Sequence, residues 1–186
     1  MIEHSERLIA IVGPSGAGKD SVLKAWRAVL AAESPRPLLH FPQRSITRPS
    51  EPDGGEQHEP LSEAEFKALL EAQAFALHWQ ANGLCYGIRH KALEPLKGGA
   101  WVVVNASREH LPVFKAAAPK VRIVEITAPP EVLAQRLANR GREDAAMVQQ
   151  RLERARAMNV EADLRIENTG DIHDAARRLH DWWRSS

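Results

Sequence analysis

The chain has a single cysteine, Cys85, so no disulfide can form within it, and at 186 residues it needs none to bury a substantial core. It also has almost no net charge. Its 25 Lys and Arg stand against 24 Asp and Glu, a balance of +1 that leaves no general field to gather nucleic acid or a lipid surface. Any anion must therefore be held by locally placed cations. No apolar run approaches bilayer-spanning length, and the residues ahead of Leu8 are polar, without a signal-peptide core. A cytoplasmic protein that binds neither nucleic acid nor membrane is expected. Internal repeats and low-complexity segments are missing too. The eight histidines and one cysteine lack zinc-ligand spacing, and no nucleophile elbow or carboxylate pair points to hydrolysis.

What is present is ordinary globular material, 44% apolar and 26% charged, which fits one domain over residues 1–186. Apolar runs rich in β-branched residues fall at 8–12, 38–41, 101–104 and 121–127, with a weaker one at 164–167. They are continuous rather than alternating, as in strands of a parallel sheet covered on both faces. Helical periodicity falls between them, at 20–32, 63–72, 108–118, 130–139, 144–158 and 172–183. Ser62 with Glu65 reads as a capping box, and Asp171 with Asp174 supplies an acceptor and negative charge to the last helix start. The alternation predicts an α/β fold with a parallel core sheet and right-handed crossovers. Residues 42–60 break the pattern with Pro42, Pro49, Pro52, Pro60, Gly54 and Gly55, and are expected to form an excursion over a ligand site.

The chemistry starts at Gly13-Pro14-Ser15-Gly16-Ala17-Gly18-Lys19, directly after one expected strand and directly before a helix. That setting is the one in which a glycine-rich loop turns successive backbone N–H groups inward around phosphates, while the lysine reaches the β- and γ-phosphates of a nucleotide. ATP is the expected co-substrate. Position 20 holds Asp20 where a hydroxyl residue is usual, and Ser21 follows one place late. A carboxylate suits a hard cation, so Asp20 is the expected direct or water-mediated ligand of Mg²⁺.

Farther along stand Arg44-Ser45-Ile46-Thr47-Arg48-Pro49, Gly55-Glu56, Phe75-Ala76-Leu77-His78-Trp79 and Gly83-Leu84-Cys85-Tyr86-Gly87, then Arg136-Leu137, Arg140-Gly141 and Arg151-Leu152. In this order and spacing they resemble the guanylate kinase family over nearly the whole chain. The resemblance implies a P-loop kinase with a core at 1–35, 100–130 and 160–186, an acceptor-binding region at 36–99 and a helical lid at about 131–159. It implies that Arg48 and Tyr86 hold the acceptor's phosphate. It also implies that Arg136, Arg140 and Arg151, with Lys19, stabilise the charge that develops on the transferring phosphoryl group.

The departures from the family are informative. Arg44, His58 and His78 appear at the places read as those where the family recognises guanine with a hydroxyl, a tyrosine and a carboxylate. Cationic donors there suit a second phosphate better than a base. With Gly-Lys-Asp-Ser and Ala-Leu-His-Trp-Gln-Ala-Asn-Gly-Leu-Cys-Tyr-Gly-Ile, the set looks like the ribose 1,5-bisphosphate phosphokinase branch of the family. That likeness implies conversion of ATP and ribose 1,5-bisphosphate to ADP and 5-phosphoribosyl 1-diphosphate, in phosphonate utilisation and supply of that diphosphate. Two other readings stay open: a nucleoside monophosphate kinase with altered base contacts, and a non-catalytic module that binds phosphopeptides. Residues 168–170 are the candidate adenine face. The oligomeric state is open, with a homodimer among the options.

Overall fold

Leu8–Val12 forms β1, and all five of its residues are buried, which accounts for the unbroken apolar run. The computed structural model describes residues 1–49, 57–81, 83–138 and 158–186. After β1 come α1 (Lys19–Ala31), the short strands β2 (Leu39–His40), β3 (Ser45–Ile46) and β4 (Glu59–Pro60), and α2 (Glu63–Glu71). β5 (Phe75–Ala81) and β6 (Leu84–Arg89) follow, then a 3-10 segment (His90–Gly98), β7 (Trp101–Asn105), α3 (Leu111–Ala117) and β8 (Arg122–Thr127). The described chain ends with α4 (Pro130–Ala138), β9 (Leu164–Glu167) and α5 (Ile172–Arg184).

Five strands lie in the order β2-β7-β1-β8-β9, and both the β2/β7 and β8/β9 pairs are parallel, as the sequence predicts for an α/β core. A second sheet, in the order β4-β3-β6-β5, is mixed: β3 pairs parallel with β4 and antiparallel with β6, which pairs antiparallel with β5.

Two expectations need adjusting. The 108–118 helix is divided, with a 3-10 turn at Arg108–His110 before α3, where Pro112 sits in the first turn and suits a helix start rather than an interior. β5 and β6 were not foreseen as strands, and the excursion at 42–60 contributes β3 and β4 to the same sheet. The helix expected at 144–158 lies outside the described residues, apart from Met158, which is not helical.

The chain divides into two compact units, residues 1–10 with 38–122, and residues 11–37 with 123–186. In the first, the capping box of α2 is complete: Glu65 N–H donates to Ser62 Oγ at 3.2 Å and Ser62 N–H to Glu65 Oε2 at 2.7 Å. α2 lays Phe66 on Phe75 of β5 with ring centroids 4.7 Å apart. Gly87 on β6 makes room for that ring, since a Cβ there would meet it at 2.4 Å.

In the second unit α1 and α5 pack together through Trp26 and Trp183, whose rings meet edge to face at 6.0 Å. Trp26 Nε1–H donates to His180 Nδ1 at 3.4 Å, while His180 Nε2 lies 2.8 Å from Glu33 Oε1. Ala175 and Ala176 are buried on the same helix, small side chains in its packed face. Asp171 caps α5 by accepting from His173 N–H at 2.8 Å.

Candidate active site

The phosphate loop belongs to the second unit and is shaped by close backbone contact. Gly13 has φ 148°, and a Cβ at that position would stand 1.9 Å from the Ile126 carbonyl oxygen of β8, so no other residue fits. Gly18 has φ 83° and is the N-cap of α1, with no side chain bonded over the helix start. The first-turn amides of α1 thus have no intrahelical acceptors, and with the helix dipole they make a cradle for anionic oxygens. Lys19 bends back over this cradle, donating from Nζ to the carbonyls of Gly13 at 2.9 Å and Pro14 at 3.2 Å. Ala17 N–H donates to Pro14 O at 3.2 Å, which tightens the turn. Asp20 is half-buried in the first turn of α1, and Ser21 is exposed beside it.

Two groups brace the loop from behind. Arg136 on α4 donates to Gly16 O at 3.4 Å and to Asn168 O at 3.0 Å, and Asn168 Nδ2 donates to Ala17 O at 2.8 Å. Asn168 is only 4% exposed. Sequence reasoning placed Arg136 over the transferring group and residues 168–170 at adenine; the structure brings both Arg136 and Asn168 onto the loop's carbonyls. Arg140 and Arg151 lie outside the described residues.

The first unit carries the expected acceptor residues. Trp79 and Tyr86 are cross-strand partners on β5 and β6, and their rings stack with centroids 5.4 Å apart and planes 5° from parallel. Arg44, just before β3, lays its guanidinium over both, 5.0 Å from the Tyr86 centroid and 5.9 Å from that of Trp79, and donates from Nη1 to Asn105 O at 3.1 Å. Trp79 rests on Phe114 of α3 at 5.7 Å, so the floor beneath the cation is anchored.

Arg48 and His58 form a second pair. His58 Nε2 lies 3.0 Å from Arg48 O, and because a carbonyl can only accept, the ring proton sits on Nε2. His58 is buried and meets Arg48 at its backbone carbonyl, whereas Arg48 Nε is buried without a hydrogen-bond partner among the described residues.

His78 does not join these groups. It is exposed on β5 and precedes the buried Trp79, and successive residues of a strand face opposite sides of the sheet. The face that carries Trp79, Tyr86 and Arg44 therefore excludes His78, one of the residues expected at a second phosphate.

Sequence reasoning also missed the ion pair that binds this sheet together. Arg89 on β6 forks onto Glu59 on β4, with Nε to Oε2 at 2.9 Å and Nη2 to Oε1 at 2.6 Å, while Ser45 Oγ donates to Glu59 Oε2 at 2.6 Å. The Arg89 hydrogen bonds, more than Ser45, hold the Glu59 carboxyl below the usual carboxylate range. The signal available in sequence was the alternation of Phe75, Leu77 and Trp79, a period of two that marks β5 as a half-buried strand.

Among the described residues no three His, Cys, Asp or Glu side chains gather as a cation site. One loop carboxylate beside nucleotide phosphates is nevertheless the kind of donor set Mg²⁺ takes, and Asp20 fits it. No helix among the described residues is long and apolar enough to cross a membrane.

Comparison with known proteins identifies the family. A family model described as guanylate kinase matches residues 5–185. A ribose 1,5-bisphosphate phosphokinase from Ruegeria sp. (strain TM1040) is 51% identical, with 90% of this chain and 86% of the relative covered. One of the same name from Agrobacterium fabrum is 43% identical over 92% of this chain and 93% of the relative. The crystal structure of guanylate kinase from Anaplasma phagocytophilum shares the fold, with a TM-score of 0.65 at 20% identity over 96% of this chain and 84% of that one. With a parallel core sheet, a glycine-rich loop ahead of α1 and a family match that runs from residue 5 to residue 185, the chain belongs to the guanylate kinase family.

Proposed function

We propose that the chain transfers the γ-phosphoryl group of ATP to ribose 1,5-bisphosphate, forming ADP and 5-phosphoribosyl 1-diphosphate. The names of relatives at 51% and 43% identity support this reading. The observation that carries the acceptor half is the Arg44 guanidinium, set 5.0 Å from the Tyr86 centroid over the aromatic surface a planar base would need for stacking. A cation in that place favours a phosphate oxyanion over a nucleobase.

Each residue then has a defined task. The loop from Gly13 to Ser21 and the Lys19 ammonium hold the nucleotide's phosphates, with Asp20 as a hard oxygen ligand for Mg²⁺, which neutralises phosphate charge when bound. Arg44, Arg48 and Tyr86 hold the acceptor, and His58 acts through Arg48 by fixing its backbone. The acceptor phosphate is already ionised at neutral pH, so no general base is called for. One of its oxygens bonds to the γ-phosphorus as the bond to the departing ADP oxygen breaks. Arg136, Arg140 and Arg151 are assigned to the charge on the transferring group. The arrangement is that of one kinase domain with a core at 1–35, 100–130 and 160–186, an acceptor region at 36–99 and a lid at about 131–159, working in the cytoplasm.

Incubation with Mg·ATP and either ribose 1,5-bisphosphate or GMP, followed by ³¹P NMR, tests the proposal. The expected result is a diphosphate signal from 5-phosphoribosyl 1-diphosphate and no GDP. GDP formation with no turnover of the bisphosphate would overturn it in favour of a nucleoside monophosphate kinase.

A further inference from the structure

Asn168 follows β9 directly, and its hydrogen bonds join it to β8, to Arg136 of α4 and to the phosphate loop. Its N–H donates to Thr127 O at 2.8 Å at the end of β8, and its carbonyl accepts from Arg136 at 3.0 Å. The residue's main chain is thus fixed from both sides, and the 4%-exposed side chain reaches the phosphate loop, where Nδ2 donates to Ala17 O at 2.8 Å. The fit is close enough that a Cβ on Gly18 would come within 2.5 Å of Nδ2.

In a planar trans peptide the C=O and N–H point in opposite directions. Fixing the Ala17 carbonyl toward Asn168 therefore turns the Gly18 N–H the other way, to the side of the loop opposite Asn168. The neighbouring peptide follows the same logic: Gly16 O accepts from Arg136, and the Ala17 N–H on its other side is taken up by Pro14 O. Of these two amides, the structure gives an acceptor within the loop only to that of Ala17.

We infer that Asn168 is a positioning residue of the phosphate loop, which holds the Ala17–Gly18 peptide so that the Gly18 N–H is aimed at a nucleotide phosphate. The inference rests on the loop's role in nucleotide binding and is independent of which acceptor the enzyme uses. It makes Asn168 a reader of loop geometry rather than of adenine, so its effect is blind to the base.

Isothermal titration with Mg²⁺ and ATP, GTP or inorganic tripolyphosphate, and no acceptor present, tests this. Asn168→Leu keeps the side-chain volume and removes the donor, and Asn168→Ala removes both. Each variant is expected to lose affinity for all three ligands in parallel, by about tenfold, at a temperature well below its melting point. Loss for ATP alone, with tripolyphosphate bound at wild-type affinity, overturns the inference and gives Asn168 to the base. Unchanged affinity for all three overturns it as well. If the alanine variant fails to fold, the leucine variant carries the same three arms. Failure of the wild type to bind ATP would remove the loop's role and the inference with it, whereas a wrong acceptor would leave these titrations untouched.

Discussion

Replacing Gly13 with alanine should damage both the stability of the protein and its nucleotide affinity. The new methyl group would start 1.9 Å from Ile126 O, and that oxygen belongs to the backbone of β8, so no side-chain rotation relieves the clash. The left-handed backbone, at φ 148°, adds strain of its own, about 1–3 kcal/mol for a residue with a Cβ. Relief requires the loop to lift away from β8, which loosens packing at a strand buried almost throughout. Taking both effects together, a loss of about 3 kcal/mol is expected, which for a domain of this size lowers the melting temperature by about 6–12 °C. Urea unfolding followed by dichroism gives the stability change, and titration with Mg·ATP gives the binding change. A Gly13→Ala variant with the wild-type urea midpoint and wild-type ATP affinity would refute the claim that close contact with β8 shapes the loop.

Lys19→Met should retain the fold and lower kcat by about 10²–10³ or more, because it removes the cation over the loop; turnover near the wild-type rate would remove Lys19 from the chemistry. Glu59 has its pKa lowered by Arg89 and Ser45, so the stability it contributes is present above the ordinary carboxylate value and is lost as pH falls through the depressed one. Urea midpoints of wild type and Glu59→Gln should differ at pH 7, by no more than about 1 kcal/mol because the pair is partly solvated, and converge as pH falls through the depressed value; a difference that stays constant into the acid range would refute the linkage. His78→Ala should leave the Michaelis constant for the sugar bisphosphate unchanged, since His78 is on the sheet face away from Arg44 and Tyr86; a rise of severalfold would return it to the site.

The parts of this fold legible in sequence were those with strong local signals. β1, the loop and α1 read cleanly because an apolar run, a glycine turn with lysine and a helical period follow one another within residues 8–32. Ser62 and Glu65 announced α2 through chemistry confined to four positions. β3 and β4 could not be read, because two-residue strands have no period, and their pairing is set by Glu59 reaching Ser45 and Arg89 across the sheet. The clamp of Arg136 and Asn168 on the loop joins residues more than a hundred positions apart, a distance that neither spacing nor propensity reports. His78 was placed with Arg44 and His58 by its position in the family's pattern, and a pattern in sequence does not report that the pleat sends His78 and Trp79 to opposite faces.

The packing of α1 on α5 ties two ends of the chain to one another. α1 has thirteen residues and so is about 20 Å long, with Lys19 at one end and its far half held against α5 by Trp26 and Trp183. The Trp26–Trp183 contact therefore anchors the helix whose first residue is Lys19, and the final helix of the chain serves as the foundation for the helix that follows the glycine-rich loop.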